Sequence, residues 1–206
     1  MVSLIAALGV VGTFSGIALS YYFHRKSEQA QAALQREIAK RKEITWDELP
    51  KKSRKLRDEV RAEFEPDIIV TPGLRGGTLV NLMYGVQENC LTYVGLREDK
   101  RGPNQLPSPP KNYVLLNETD KYRHYLPDGI TEEDADKNVL VVDDFVQTGE
   151  SMKRFKSELS ELGFDPENVK TATVVCSDAA ESGGKAPDFY GTTMPHEFDF
   201  PWGEAV

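Results

Sequence analysis

Two adjacent carboxylates, Asp143 and Asp144, follow the aliphatic run Val139-Leu140-Val141-Val142, and Thr148-Gly149-Glu150-Ser151 comes three residues after them. Four aliphatic residues in succession suit a strand buried on both faces of a parallel sheet. That strand is expected to end near the acidic pair, with an amphipathic helix from Met152 to Leu162 after the small-residue turn. A turn of this kind offers backbone N–H groups, two hydroxyls and a helix N-terminus, which together suit a phosphate monoester. The acidic pair is unsuited to phosphate. It suits ribose hydroxyls, or a Mg²⁺ ion carried on a polyphosphate. Adjacent carboxylates at a strand end are costly without partners, so an ordinary acidic turn is the weaker reading.

The elements that must position these groups can be read along the chain. Asp67 to Thr71 reads as a strand and Thr78 to Tyr84 as a helix, with Pro72-Gly73-Leu74-Arg75-Gly76-Gly77 as a glycine-rich turn between them. A turn holding one arginine there is a second anion site. Thr45-Trp46-Asp47-Glu48 is a capping-box pattern that opens a helix whose apolar positions are Leu49, Leu56, Val60 and Phe64. Cys90 to Leu96 reads as a strand, and Arg97 to Lys111 as a polar loop. Tyr113 to Leu116 and Tyr122 to Leu126 form a hairpin around Asn117–Asp120. Val169 to Cys176 is a further strand, preceded by a turn at Gly163–Pro166.

The 139–151 segment resembles the PRPP-binding motif of type I phosphoribosyltransferases: a hydrophobic run, two acids, two apolar residues, a variable position and Thr-Gly. With the opening helix, Glu65-Pro66-Asp67 and Arg75-Gly76-Gly77, residues 44 to 206 are most similar to the bacterial and archaeal xanthine/hypoxanthine type. The resemblance implies an α/β fold: a parallel sheet flanked by helices, with a flexible hairpin loop and a small C-terminal hood. It implies a phosphoribosyltransferase that moves 5-phosphoribosyl from PRPP, with Mg²⁺, to a purine-like base and releases pyrophosphate. Asp143 and Asp144 would hold the ribose hydroxyls and, through PRPP, the metal. Thr148, Gly149, Glu150 and Ser151 would hold the 5′-phosphate, and Arg75, Gly76 and Gly77 the pyrophosphate. Lys185, with Trp202 or Phe200, would hold the base. Phe200 serves equally well as a C-terminal aromatic plug for the core. The extra residue Ala186 between Lys185 and Pro187-Asp188 departs from the pattern.

Gln147 is the larger departure. The 6-oxopurine members usually carry an aspartate there, near purine N7, as general base. A carboxamide cannot take a proton at a useful pH. Glu150 is one substitute, and a base already ionised in solution is another. A second reading follows from the same residue: a catalytically impaired domain that binds PRPP or a nucleotide as a sensor or effector.

The remainder of the chain sets the location. Val2 to Phe23 holds no charged residue over 22 positions, enough to cross a bilayer of about 30 Å as a helix. Tyr21, Tyr22 and Phe23 suit an interfacial belt, and His24, Arg25 and Lys26 follow at once. A single-pass anchor at residues 1–23 is expected, with the N-terminus outside the cell membrane and everything after Arg25 in the cytoplasm. A cleaved signal peptide is disfavoured because no basic segment precedes the apolar run. Gly12 and Gly16 form a GxxxG, weak support for a homodimer. Residues 24–43 read as a charged helical stalk and 44–206 as the phosphoribosyltransferase-like domain. Residues 24 to 61 carry twelve Lys/Arg against seven Asp/Glu, while the chain as a whole is at −8. A basic collar on an acidic body argues against nucleic-acid binding. Cys90 and Cys176 show no metal-ligand spacing and read as reduced core residues.

Overall fold

The computed structural model describes residues 23–28, 31, 42–85, 90–102, 109–195 and 197–204. The expected anchor at 1–23 (all but Phe23), most of the stalk and the middle of the 97–111 loop lie outside the described residues. Among the described residues, no helix is long and apolar enough to cross a membrane. By packing, the chain divides into Met1–Lys42 and Glu43–Val206.

The second unit is built on β2 (Ile68–Thr71), β3 (Leu91–Val94), β7 (Val139–Val146), β8 (Val169–Ser177) and β9 (Phe189–Met194), with β1 (Lys42–Glu43) preceding them in the chain. These five form one sheet in the order β3-β2-β7-β8-β9, and every neighbouring pair is parallel. Each strand's side chains alternate between the two faces, and both faces are covered. Leu140 and Val142 enter one apolar cluster with Leu49, Leu56, Val60 and Phe198. Val139 and Val141 enter the other with Phe155, Leu159 and Phe164. Burial on both faces explains why the strand's sequence is a continuous aliphatic run.

Helix α1 (Leu49–Glu63) packs on one face together with α2 (Leu74–Tyr84). Its start corrects the expectation of a helix opening at Thr45. The reciprocal bonds form as foreseen: Thr45 N–H to Glu48 Oε2 at 3.0 Å, and Glu48 N–H to Thr45 Oγ1 at 3.3 Å. They close a turn, and the helix begins only at Leu49, with Pro50 in its first turn. Two aspartates pin strand ends. Asp67 accepts from Asn138 N–H at 2.9 Å, fixing β2 beside β7. Asp188 accepts from Thr171 N–H at 2.8 Å and from its hydroxyl at 2.7 Å, fixing the chain just before β9 to β8.

A small antiparallel sheet of β4 (Leu96–Asp99), β5 (Tyr113–Glu118) and β6 (Tyr122–Pro127) runs in the order β4-β6-β5. The hairpin expected from sequence is therefore present, and residues 97–99 of the expected loop pair as strand with residues 122–124. The C-terminal hood is the hairpin of β10 (Phe198–Phe200) and β11 (Gly203–Glu204). Ile44 N–H donates to the Asp199 carbonyl at 2.9 Å. Both ends of the unit thus meet on one side of the sheet.

Candidate functional site

Strand β7 does not stop at the carboxylates. It runs through Val146, because Val146 is buried and the Phe145 ring packs edge-on against Phe198 at 5.0 Å. After Gln147 the chain turns at Gly149, whose φ of +75° suits glycine. Helix α3 (Glu150–Glu161) begins at once, two residues before the expected start. The first N–H groups of a helix have no intrahelical partner, so this turn directs donors toward the end of β7.

A cavity of about 230 Å³ lies at that point. Its walls bring together Asp143, Gln147, Thr148, Gly149 and Ser151 from β7 and the turn, with Arg97, Lys121 and Tyr122 from the antiparallel sheet. The last three are not among the site residues expected from sequence. Two further cations of the 97–111 loop are engaged elsewhere: Lys100 pairs with Glu118 at 2.6 Å and Arg101 with Asp99 at 3.5 Å. Strand pairing was the signal that would have found Arg97: it stands opposite His124 in β6. Arg97 and Lys121 both lie against the Tyr122 ring, at 4.9 and 4.7 Å from its centre.

The two acids occupy different environments. Asp143 faces the cavity, and its Oδ1 accepts the Asp144 N–H at 3.0 Å. Burial, and then the Asp144 charge, push the Asp143 carboxyl well above the usual carboxylate range, with Arg97 opposing the shift. Asp144 is buried and accepts from Trp202 Nε1 at 3.1 Å. Trp202 stacks on Phe200 at 4.9 Å and meets Trp46 edge-on at 5.9 Å. Of the two aromatic candidates, Phe200 is a core residue, 3% exposed. Its use as a base-stacking face is thereby corrected in favour of the structural role.

Lys185 sits over the turn. Its Nζ lies 2.5 Å from Glu150 Oε1, and it is not among the residues lining the cavity. A Cβ added at Gly149 would fall 2.2 Å from the Lys185 carbonyl oxygen, so the turn and the lysine backbone are in close contact. The Lys185 hydrogen bond and charge hold the Glu150 carboxyl below its usual value. Ser177 ties the turn from behind: its hydroxyl donates to the Gln147 carbonyl and caps the short helix α4 (Asp178–Ser182).

The expected glycine-rich turn is a helix. Arg75, Gly76 and Gly77 form the first turn of α2, after Gly73 at its N-cap, and none of the three lines the cavity. Gly76 is there for packing. A Cβ on it would meet the Val142 carbonyl oxygen at 2.5 Å and Thr71 Cβ at 2.9 Å. Among the described residues, no cluster of three or more His, Cys, Asp or Glu forms a metal centre. Of the two carboxylates expected at Mg²⁺, Asp143 lines the cavity and Asp144 does not.

The family model described as the phosphoribosyl transferase domain matches residues 40–206. The chain belongs to that family. Hypoxanthine-guanine phosphoribosyltransferase from Mus musculus is 36% identical over 62 residues, 30% of this chain and 28% of that protein. Phosphoribosyltransferase domain-containing protein 1 from Homo sapiens is 36% identical over 64 residues, 31% and 28% of the two chains. These matches thus span less than a third of the curated relatives' length. Among solved structures, purine phosphoribosyltransferase from Pyrococcus horikoshii superposes with a TM-score of 0.56 at 20% identity, over 80% of this chain and 95% of that one. A Neisseria gonorrhoeae protein with bound ppGpp gives 0.54 at 21% identity, over 79% and 89%. Likeness at these identities establishes the shared fold.

Proposed function

We propose that this chain transfers the 5-phosphoribosyl group of PRPP to a purine-like base, releasing pyrophosphate, at a membrane surface. The observation that carries the reading is the cavity in which Asp143 and the 147–151 turn face Arg97 and Lys121. In it, the turn from Thr148 to Ser151 holds the 5′-phosphate and Asp143 the ribose hydroxyls, with Asp144 adjoining from outside the lining, where Trp202 binds it. Mg²⁺ bound to PRPP would supply positive charge to the departing pyrophosphate. Arg75–Gly77 is the pyrophosphate site by resemblance, and Arg97 with Lys121 add two cations on the cavity wall. The new C–N bond forms at the ribose anomeric carbon as its bond to the pyrophosphate oxygen breaks. Shielding by the β5–β6 hairpin protects that electron-poor centre from water. Gln147 takes no proton and Glu150 is held by Lys185, so the attacking nitrogen enters already ionised, its proton lost in bulk solvent before the hairpin shields the centre.

A second reading is favoured by those same two residues: a domain that binds PRPP or a nucleotide without turnover. The location rests on the uncharged 2–23 segment and the cations behind it. On this reading the domain lies on the cytoplasmic side of a single-pass protein, with a homodimer through the anchor as an option. Titration of the full chain with PRPP and Mg²⁺, alongside pyrophosphate release with a panel of bases, separates the two. Binding with release supports the transferase, binding without release supports the sensor, and no binding defeats both. Recovery of the chain in the soluble fraction after cell lysis would defeat the anchor.

A further inference from the structure

Helix α1 carries its charges in an order that does not serve the helix. Lys51, Lys52, Arg54, Lys55 and Arg57 fall in its first half with no acid among them. Asp58, Glu59 and Glu63 fall in its second half, beside Arg61. Acids near the N-terminus and cations near the C-terminus are what stabilise a helix, and the first turn of α1 holds no acid. The cations therefore answer to something other than helix stability. The face they occupy is open. Leu49, Ser53, Leu56 and Val60 are buried, which leaves Lys51, Arg54, Lys55 and Asp58 along the opposite side at helical spacing, all exposed. Asp58 is bound to Arg57 at 2.7 Å. Glu48, the acid on which Lys51 and Lys52 act, is turned back onto Thr45.

Trp46 stands just before these cations in the chain, 57% exposed, with its ring edge-on to Trp202. The chain enters the unit at Ile44, held on the Asp199 carbonyl, two residues before Trp46 and five before Leu49. Lys40-Arg41-Lys42 come directly before that entry. The rest of the unit has the opposite sign. With residues 24–61 at +5, the chain at −8 and residues 1–23 uncharged, residues 62–206 are at −13. An extended anionic surface is repelled by that body and attracted at α1. A nucleic acid or an acidic protein would also meet the cations, but neither accounts for an exposed indole at their edge. An amphipathic ring of that kind sits at the headgroup level of a bilayer, and the uncharged 2–23 segment lies upstream in the same chain.

We propose that the outer face of α1, with Trp46, docks on the anionic lipid surface of the membrane and so sets which side of the domain faces the bilayer. Lys51, Arg54 and Lys55 meet the anionic headgroups, and the Trp46 ring enters the headgroup layer. The proposal rests on the membrane reading above, and does not depend on whether the chain turns over.

The test uses the full chain with Trp202→Phe, so that Trp46 is the emitting tryptophan, in nanodiscs of phosphatidylcholine or of phosphatidylcholine mixed with phosphatidylserine. Trp46 emission should move to the blue, and be quenched by brominated acyl chains, in the anionic discs and not in the neutral ones. Each cation near an anionic surface favours attachment about fivefold, so Lys51→Gln, Arg54→Gln and Lys55→Gln together should shift docking about a hundredfold and restore the neutral-disc spectrum. High salt should do the same with the three cations in place. A Trp46 signal equal in the two lipids would overturn the proposal, as would quenching that survives both the triple variant and salt. Shielding of Trp46 that grows with protein density in neutral discs would assign the face to a second copy. Binding of an RNA strand that the triple variant loses, with Trp46 unmoved by phosphatidylserine, would assign it to nucleic acid. Either would overturn the proposal. Release of the chain from neutral bilayers by washing would defeat the anchor instead, and the same spectra with anionic vesicles added to the released chain still decide the face.

Discussion

Trp202 donates its indole N–H to Asp144 Oδ2 at 3.1 Å, joining the C-terminal hairpin to the acidic pair at the end of β7. The bond ties a group expected on the base side to one expected on the ribose side. Trp202→Phe keeps a ring to stack on Phe200 and removes only the donor. Hydrogen bonds to charged groups contribute about 1.5–3 kcal/mol, and Trp202 is half-buried. The variant should therefore bind PRPP·Mg²⁺ about three- to tenfold more weakly. Trp46 and Trp202 are the chain's two tryptophans, so emission spectra of the variant will show Trp46 alone. Unchanged affinity would mean that the indole does not set the position of Asp144.

Asp143 makes binding depend on pH. Burial and the Asp144 charge hold its carboxyl above the ordinary carboxylate range. A ligand that needs the carboxylate must therefore expel a proton below the raised value. Affinity for PRPP·Mg²⁺ should rise with pH through that window and level off above it. Titrations at one pH in two buffers of different ionisation heat should show net proton release, and Asp143→Asn should abolish it. Replacing both Asp143 and Asp144 by Asn should abolish turnover. Normal product formation in the double variant would refute the placement of the ribose hydroxyls.

Gly149 is held by two independent constraints. Its φ is +75°, and an added Cβ would lie 2.2 Å from the Lys185 carbonyl oxygen and 2.6 Å from Lys185 Cβ. The left-handed conformation alone costs a non-glycine residue about 1–2 kcal/mol, and a backbone contact of that length must be relieved by moving the chain. Gly149→Ala should lower stability by about 2 kcal/mol or more and weaken ribose 5-phosphate binding. Gly73 also flanks a helix start, but an added Cβ there meets nothing within 4 Å. Gly73→Ala should be close to neutral in thermal melting, and serves as the control.

The difference between those two glycines shows what the sequence could and could not disclose. Local patterns carried the strands, because double-sided burial writes itself as Val139 to Val142 and Val169 to Cys176. They also carried the hairpin and the turn after β7. The errors came where two elements meet. Gly76 reads as a loop glycine, yet it is required because α2 crosses the Val142 carbonyl. Phe200 reads as a binding aromatic until Phe198 and Trp202 are seen on either side of it. Arg97 and Lys121 are ordinary loop cations in sequence, and only the pairing of β4 with β6 carries them to the cavity. The Lys185–Glu150 pair spans 35 residues, so no local pattern announces it.

The antiparallel sheet reaches α3 through Asn117, whose side-chain amide donates to Glu158 Oε1. Burial pushes the Glu158 carboxyl up to about 7, with Glu161 adding and Arg154 opposing. Between its ordinary value of 4.5 and that level, the unfolded chain is ionised here while the folded chain keeps the proton. The folded state binds more protons, so this group lowers stability as pH rises through the window. His124, in the same sheet, works the other way. Burial, then Arg97 and Arg154, push it down to about 4, so between there and 6.5 the unfolded chain binds the extra proton and stability rises with pH. In the native chain the two slopes oppose one another from pH 4.5 to 6.5. Glu158→Gln retains an acceptor for Asn117 and removes one slope. Its stability relative to the native chain should rise from pH 4.5 to about 7, the Asp143 and His124 slopes being common to both, and at pH 8 exceed that of the native chain by about 1–2 kcal/mol after solvent screening. Urea unfolding across a pH series measures both effects. A variant less stable than the native chain at pH 8 would show that the Glu158 carboxylate is well solvated, and that the sheet docks on α3 without it.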